Sequence, residues 1–411
     1  MTYAPPWASG GHGLNDGLDH WFPTPEWDDG WADFLSRLVR RYGDRAQAFE
    51  IWNEPNHAGF GNYGNGTDEE RKRRYWDLVR LSNDQIKADC PSCVVLAGGS
   101  AAGTRPDNQQ PEPTPNPNSG IAWLNWAYDH GYGDTFDAVA HHPYPSWGEG
   151  RAPSHSTCGR PEGSLFGPRY LPGRSYGQQC GTMAALRAVL VDRGDGHKKI
   201  WGTEWGYPTH SGNPNHPSLE TIRDFDVEGV HIWRELDYVG PLFLYQFNDG
   251  THVGDRPCAV QDPDPECHYG IVTKDGTPKE PRFSELVAKV RDVKPSHLSA
   301  GQSLRKWSAM SSPNQRFFLW MQGDGNLVLH DTSTDRVIWS VTNKGARRLL
   351  NQPDGNLVLY RGVDAPVWTW SSDTSEKGPS TLWLQDDGNL VLHSNATGEA
   401  TWASGAVVAG A

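Results

Sequence analysis

The sequence predicts an α/β fold, a (β/α)8 barrel two units short of closure, followed by a small all-β domain. Three observations carry that reading. Apolar runs of strand length alternate with amphipathic helical stretches from residue 2 to residue 293, the pattern of parallel strands joined by crossover helices. A motif then recurs three times, as MQGDGNLVLH (321–330), NQPDGNLVLY (351–360) and LQDDGNLVLH (384–393), spaced by 30 and 33 residues. The 411 residues also exceed one ordinary domain, so a boundary is expected, and the change of texture at RDVKPSHLSAG places it between 1–295 and 296–411.

In the first region strands are expected at Thr2–Pro6, Ala48–Trp52, Val94–Ala97, Ala138–His141, Ile200–Thr203 and Leu242–Gln246. Helices fall between them at Trp27–Tyr42, Glu70–Ala88, Thr182–Asp192 and Leu219–Leu236, with Pro281–Val293 last. These make six βα units where a closed TIM barrel needs eight. The loops 98–119, 146–178 and 248–276 are too long to be mere connections and read as walls on the substrate side, where such barrels carry their active sites. In the second region each repeat is followed by a tryptophan strand, at Trp339, at Trp368 with Trp370, and at Trp402, so three similar sheets are expected.

Composition excludes several classes. Residues 296–411 hold 9 Lys and Arg against 10 Asp and Glu, so −12 of the net −13 lies in residues 1–295, and nucleic acid is not an expected partner. No run of 18 apolar residues exists, which removes a membrane span formed by a helix. Nineteen tryptophans are well above ordinary use; most belong in cores, but exposed indoles suit the apolar C–H faces of sugars. The six cysteines fall as local pairs, Cys90/Cys93, Cys158/Cys180 and Cys258/Cys267. Disulfides and an oxidising, extracellular compartment are the expectation. A zinc site would need four ligands converging from distant loops, and the CxxC at Cys90 has no second CxxC to match it. The opening MTYAPPWASGGHG has neither the basic nor the apolar region of a signal peptide, so either the start is missing or export is not Sec-type, and the count of strands favours a missing start.

The stretch AFEIWNEPNHAGF puts Glu54 at the end of an apolar strand, and KKIWGTEWGYPTH puts Glu204 at the end of another, three βα units on. In a parallel barrel both strand ends open on one mouth. Two carboxylates facing across a cleft are the minimum equipment for glycoside hydrolysis, one donating a proton to the leaving oxygen and the other attacking. Trp52 and Trp205 would lower the local dielectric and raise the pKa of whichever carboxyl carries the proton. Asn53 can donate to a sugar hydroxyl. A lone loop glutamate is ordinarily solvated or salt-bridged; a pair at strand ends with aromatic flanks is not the usual surface arrangement.

Here EIWNEPN followed by WGTEWG resembles clan A of the glycoside hydrolases, retaining (β/α)8 enzymes, and most closely families 39 and 5, over residues 1–295. The resemblance implies Glu54 as acid/base at the end of the clan's fourth strand, Glu204 as nucleophile at the end of the seventh, and Asn53 on the 2-hydroxyl. AHHPYP supplies His142 and Tyr144 where the clan often has His-x-Tyr, the Tyr bonded to the nucleophile; His142 reads equally as a wall residue. Trp7, Trp205 and Tyr245 complete the expected substrate contacts. Two departures stand out. Counting back from Glu54, TYAPPWA is the third strand, so strands one and two are absent and about 80 residues are expected upstream. The eighth-strand aromatic is not Trp, since LFLYQFND offers Tyr245 and Phe247 instead.

In an extended strand alternate residues share a face. Gln352, Asp354, Asn356, Val358 and Tyr360 would then project together, offering hydrogen-bonding groups and an apolar contact to one sugar. Residues 296–411 resemble the bulb-type lectin domain, a β-prism II fold of three sheets that binds mannose through Gln-x-Asp-x-Asn-x-Val-x-Tyr. The resemblance implies two further sites, Gln322, Asp324, Asn326 and Val328, and Gln385, Asp387, Asn389 and Val391, with His330 and His393 in place of tyrosine. The plainer alternative is that these side chains satisfy the fold's own turns. Together the readings predict a secreted retaining β-glycosidase on a polysaccharide, held there by a mannose-binding module, with no metal or cofactor. The rival is a carbohydrate-binding protein with a catalytically dead barrel.

Overall fold

A computed structural model describes every residue except 1–3, 13–19, 58, 102–116, 145–169, 180, 211–215, 254–255, 260–261, 292–293, 343, 362–366 and 409–411. It contains two compact units, Met1–His216 with Ile232–Thr277, and Pro217–His231 with Pro278–Ala411.

The first unit is built on five parallel strands in sequence order: β1 (Ala48–Asn53), β2 (Val94–Ala101), β3 (Ala138–His142), β4 (Ile200–Trp205) and β5 (Val239–Leu244). All five residues of β3 are buried, as an interior parallel strand requires. Between the strands run α1 (Asp28–Tyr42), α2 (Asp68–Asp89), α3 (Gly120–Asp129) and α4 (Thr182–Asp192), and α5 (Leu219–Glu235) precedes β5 in the chain. The start of α2 is set locally: Thr67 accepts the Glu70 N–H at 3.3 Å while its hydroxyl donates to the Glu70 carboxylate at 2.7 Å, with Asp68 and Glu69 also in the first turn.

Two expectations need correction. The strand at Thr2–Pro6 is not formed where it is described: Thr2 and Tyr3 lie outside the described residues, and from Ala4 the chain turns, with the Ala8 and Gly11 N–H groups each 2.8 Å from the Pro5 and Pro6 carbonyls. Pro5 and Pro6 have no N–H to give a ladder, and their fixed φ favours the turn. Five strands are therefore described instead of six. The fifth also starts at Val239 and ends at Leu244, three residues earlier than Leu242 and two short of Gln246.

Of the long loops, 98–119 and 146–178 fall largely outside the described residues, whereas 248–276 is mostly described. It holds a short hairpin, β6 (His252–Val253) with β7 (Arg256–Pro257), and is cross-linked by Cys258–Cys267 with an S–S distance of 2.01 Å. Cys90–Cys93 is also bonded, at 2.04 Å; the Cys158/Cys180 pairing lies outside the described residues.

The second unit carries α6 (Arg282–Val290) and three four-stranded antiparallel sheets. Their strands are β8 (His297–Leu298), β9 (Ser303–Arg305), β10 (Ser308–Ser311), β11 (Phe317–Met321), β12 (Leu327–Asp331), β13 (Arg336–Val341), β14 (Arg348–Asn351), β15 (Leu357–Arg361), β16 (Val367–Ser371), β17 (Ser380–Leu384), β18 (Leu390–Ser394) and β19 (Ala400–Ala403). The sheets run β10-β11-β12-β13, β16-β15-β14-β9 and β19-β18-β17-β8. Each turns leucines inward, Leu319, Leu327 and Leu329 from the first, Leu349, Leu357 and Leu359 from the second, Leu382, Leu390 and Leu392 from the third. Trp339, Trp370 and Trp402 pack edge to face about a common centre, with centroids 5.8–6.0 Å apart and planes at 72–73°. The repeat in the sequence is thus a repeat in the core.

Candidate active site

The ends of β1, β3 and β4 bring the two sequence-predicted glutamates to one histidine. His142 Nδ1 lies 2.9 Å from Glu54 Oε1 and 3.5 Å from Glu204 Oε2, and the Tyr144 hydroxyl donates to Glu204 Oε2 at 3.0 Å. Two oxygens at those distances from one nitrogen can be no farther apart than the distances laid end to end, about 6.4 Å. The side chains of Glu54 and Glu204 are 17% and 29% exposed, while His142 is 1% exposed behind them. The carboxylates reach solvent and the imidazole does not.

The backbone that delivers Glu54 is strained and then fixed. Trp52 and Glu54 have φ of 72° and 44°, a region that costs non-glycine residues about 1–3 kcal/mol each. Glu54 N–H bonds the Gly99 carbonyl at 2.9 Å, tying the end of β1 to β2. From α2, buried Arg71 donates to the Gly61 and Pro55 carbonyls at 2.5 and 3.3 Å, so the turn after Glu54 is held from below. Asn56 adds a third clamp, accepting from Ala101 N–H at 2.8 Å and donating to the Asn118 carbonyl at 2.9 Å. Gly99 is required by the packing: a Cβ there would lie 2.2 Å from His142 Nε2 and 2.8 Å from Glu50 Oε1.

Charges are unevenly placed. Burial disfavours the charged form of His142, but its bond to Glu54 and the fields of Glu204, Glu54 and Glu50 outweigh that, and its pKa is raised. Burial raises the Glu204 pKa; the His142 charge opposes, Glu54 adds, and the Tyr144 hydroxyl opposes, with a net rise. The adjacent His141 is of another kind: fully buried and bonded to Ser100 Oγ at 2.8 Å, it is pushed down to about 3, chiefly by burial, and stays neutral. Such a site can hold a proton on one group while a neighbour stays charged.

The other expected contacts divide. Asn53 is half-buried, and its side chain makes no hydrogen bond among the described residues. Tyr245 joins Tyr144 and Tyr269 in a cluster with centroids 5.4–6.0 Å apart. Trp205 is fully buried against Tyr207, because alternation along β4 turns it away from the face of Glu204; an indole without exposed surface offers no sugar face, so its expected substrate contact is corrected to that of an apolar wall. Trp7 is 64% exposed, and its ring contact is with Trp27, at 4.6 Å.

Sequence reasoning missed three groups. Glu266, in the 248–276 loop beside Cys267, accepts the Tyr245 hydroxyl at 3.2 Å. Its carboxyl is pushed up to about 7 by burial, with the Tyr245 bond opposing and Asp264, Glu204 and Glu54 adding. Tyr269, buried, completes the tyrosine cluster. Glu50 accepts from Gly99 N–H at 2.6 Å and Thr203 Oγ at 3.1 Å, beneath the site. Only Glu50 had a signal, an acid inside an apolar strand two pairs of residues before Glu54.

In the second unit the motif is not a continuous strand. Gln352 to Asn356 form a turn closed by Gly355 N–H to the Gln352 carbonyl at 3.0 Å, and β15 begins only at Leu357, so strand alternation applies to Val358 and Tyr360 alone. Three glycines at equivalent places, Gly325, Gly355 and Gly388, have φ of 85–92°, which fixes this turn. Asp324, Asp354 and Asp387 each accept the N–H two residues on, from Asn326, Asn356 and Asn389, at 2.9 Å. The carboxamide oxygens of Asn356 and Asn389 are taken up within the fold, by Ser372 Oγ at 3.1 Å and Ser404 Oγ at 3.0 Å, and Asn326 bonds Asp324 at 2.7 Å. Gln352 Nε2 donates to the Tyr360 hydroxyl at 2.7 Å. Val328, Val358 and Val391 are buried, while Gln322 is exposed and Gln385 is half-buried. Much of the motif's polarity thus closes its own turn.

No family model matches the chain, and neither does any curated protein. Among solved structures it is similar to a family 39 glycoside hydrolase from the gut symbiont Bacteroides cellulosilyticus WH2, 17% identical over 88% of this chain and 63% of that one, with a TM-score of 0.49. It is similar to a monomeric β-xylosidase from Caulobacter crescentus CB15, 17% identical over 85% of this chain, with a TM-score of 0.42, and spans 55% of that enzyme's length. A monomeric mannose-binding lectin from Gastrodia elata is 37% identical over 28% of this chain and 99% of its own, with a TM-score of 0.24.

Proposed function

We propose that the chain is a retaining glycoside hydrolase that cleaves β-glycosidic bonds of a polysaccharide, exported to an oxidising compartment and held on its substrate by a mannose-binding module. The observation that carries the catalytic half is the common nitrogen of His142 between Glu54 and Glu204, which caps the separation of the facing oxygens at about 6.4 Å. Retaining enzymes place their carboxyls ~5–5.5 Å apart and inverting ones ~6.5–9.5 Å. An oxygen pair held this close to one nitrogen supports the shorter of the two spacings.

In this reading Glu204 attacks the anomeric carbon while Glu54 donates its proton to the leaving oxygen, forming a glycosyl ester on Glu204. Glu54, now a carboxylate, takes a proton from the water that attacks the same carbon and releases Glu204. The Tyr144 hydroxyl and the His142 charge favour the ionised nucleophile against its burial. Asn53, with its side chain unspent, reads the 2-hydroxyl. The two disulfides among the described residues support export.

Turnover of a panel of aryl β-glycosides by the wild type, Glu54→Gln and Glu204→Gln tests the reading, with the anomer of the first product followed by NMR. Loss of at least a thousandfold in Glu204→Gln and a β-configured first product are expected. Equal, negligible rates for all three proteins, with sugar binding kept, would establish instead a non-catalytic carbohydrate-binding protein.

A further inference from the structure

We propose that the third repeat binds an all-equatorial pyranoside, of the gluco or xylo type, stacked on Trp383 and read by Gln385 and His393, a chemistry different from that of the second repeat. The proposal rests on the reading of the second unit as sugar-binding.

The register across the sheets carries the difference. Trp320 lies opposite Val328, Leu350 opposite Val358, and Trp383 opposite Val391. One pair of residues further along, His330, Tyr360 and His393 occupy equivalent places. Where the motif keeps its tyrosine the neighbouring strand has leucine; in the two repeats where tyrosine gives way to histidine, that leucine is a tryptophan. The aromatic surface has moved to the next strand.

At the third repeat the indole is available. Trp383 is 38% exposed, is propped by His297 across β8 at 4.5 Å between rings, and lines a surface hollow with Pro313, Gln385, Asp386 and His393. The Pro313 wall is pinned, because the next residue, Asn314, donates its backbone N–H to Asp386 Oδ1 at 2.8 Å and its side chain to the Asp386 carbonyl at 3.1 Å. The polar groups are also in a different state from those of the second repeat. The Gln385 carboxamide makes no hydrogen bond among the described residues, whereas Gln352 is committed to Tyr360. His393 Nδ1 faces the Gly398 carbonyl at 3.1 Å; a carbonyl only accepts, so Nδ1 carries the hydrogen and the neutral ring offers Nε2 as an acceptor. An aromatic plate with one free amide and one acceptor suits a ring whose faces are all C–H. Equatorial hydroxyls leave both faces of glucose or xylose apolar, whereas the axial 2-hydroxyl of mannose interrupts one.

The test uses the full chain carrying Glu204→Gln, so that nothing is hydrolysed, with its tryptophan side chains labelled for NMR. The indole N–H resonance that disappears in Trp383→Leu, the side chain the second repeat already accommodates at this place, is followed during titration with cellotetraose, xylotetraose and methyl α-mannoside. We expect it to shift with one or both tetraoses and not with the mannoside, and the apparent Kd to rise about tenfold in Gln385→Ala and in His393→Ala. A preference between the tetraoses shows whether the hydroxymethyl group is accommodated. No shift with either tetraose, or an equal one with the mannoside, overturns the proposal. Mannoside binding that Gln352→Ala abolishes tests the underlying reading separately; its absence beside a Trp383 shift would remove the mannose module and leave this site standing.

Discussion

Replacing Glu266 with glutamine tests whether the third carboxyl of the site is a carboxylate at all. Burial, opposed by the hydrogen bond from Tyr245 and assisted by Asp264, Glu204 and Glu54, pushes it from an ordinary 4.5 up to about 7. Between those values the folded chain keeps a proton that the unfolded chain has released. Stability is therefore full below pH 4.5 and falls as pH rises to 7, with each pH unit in the window removing about 1.4 kcal/mol, on the order of 3 kcal/mol in all. Glutamine cannot ionise and can still accept from Tyr245, so the variant lacks this slope. Two compact units make global unfolding a poor two-state measurement. Hydrogen exchange of the most protected amides of β2 and β3, corrected for intrinsic rates, reads the first unit alone. The variant should gain about 3 kcal/mol on the wild type between pH 4.5 and 7 and nothing more above it. Parallel curves through that window would show that Glu266 titrates normally, and a gain of opposite sign would show it held ionised.

Three further outcomes follow from the same geometry. Tyr144→Phe removes a donor 3.0 Å from Glu204 and lets burial push that carboxyl higher; under the proposed function the acid limb of the pH–rate profile should move up and kcat/KM fall roughly 10- to 100-fold, and an unmoved limb would mean the hydroxyl does not tune Glu204. Gly99→Ala puts a methyl 2.2 Å from His142 Nε2 and must displace the ring, so turnover should drop by about 100-fold with the far-UV circular dichroism unchanged; full activity would show that His142 need not sit where it does. Trp370→Ala opens the three-indole centre and should cost the second unit about 3–5 kcal/mol, read from hydrogen exchange of the most protected amides of β12 and β18, where a loss below 1 kcal/mol would deny that centre its role.

The sheet and the repeat were legible because their signals are local. A short, mostly apolar run bounded by polar loops, Ala48–Trp52, marks β1, and a motif recurring three times marks three sheets. The Thr2 strand misled because its apolar side chains speak for a strand while two prolines speak against it, and the backbone argument wins. In the motif, alternate spacing suggested one extended face, but the glycine in each copy takes φ near 90° and bends the chain first. Glu54 and Glu204 could be named because each stands at a strand end, and His142 and Tyr144 because AHHPYP resembles the His-x-Tyr of clan A. Glu266 could not. It sits in a loop whose path is fixed by a disulfide and by the packing of Tyr245 and Tyr269, and no periodicity leads to it.

The arrangement around His142 explains why the site tolerates strain. An imidazole between two carboxylates binds its proton more tightly the closer they stand, yet the same closeness raises the cost of ionising Glu204. His142 and Glu204 therefore titrate together, and a pH profile reports the pair and not one member. A few tenths of an ångström in Glu54 would change the 2.9 Å contact that holds the His142 ring beside Glu204. That sensitivity gives a reason for the left-handed backbone at Trp52 and Glu54, for Arg71 and Asn56 gripping the turn that follows, and for a glycine pressed against the back of the ring. Relaxing the left-handed backbone would stabilise the chain locally, but losing it or either grip would loosen the spacing of Glu54, His142 and Glu204.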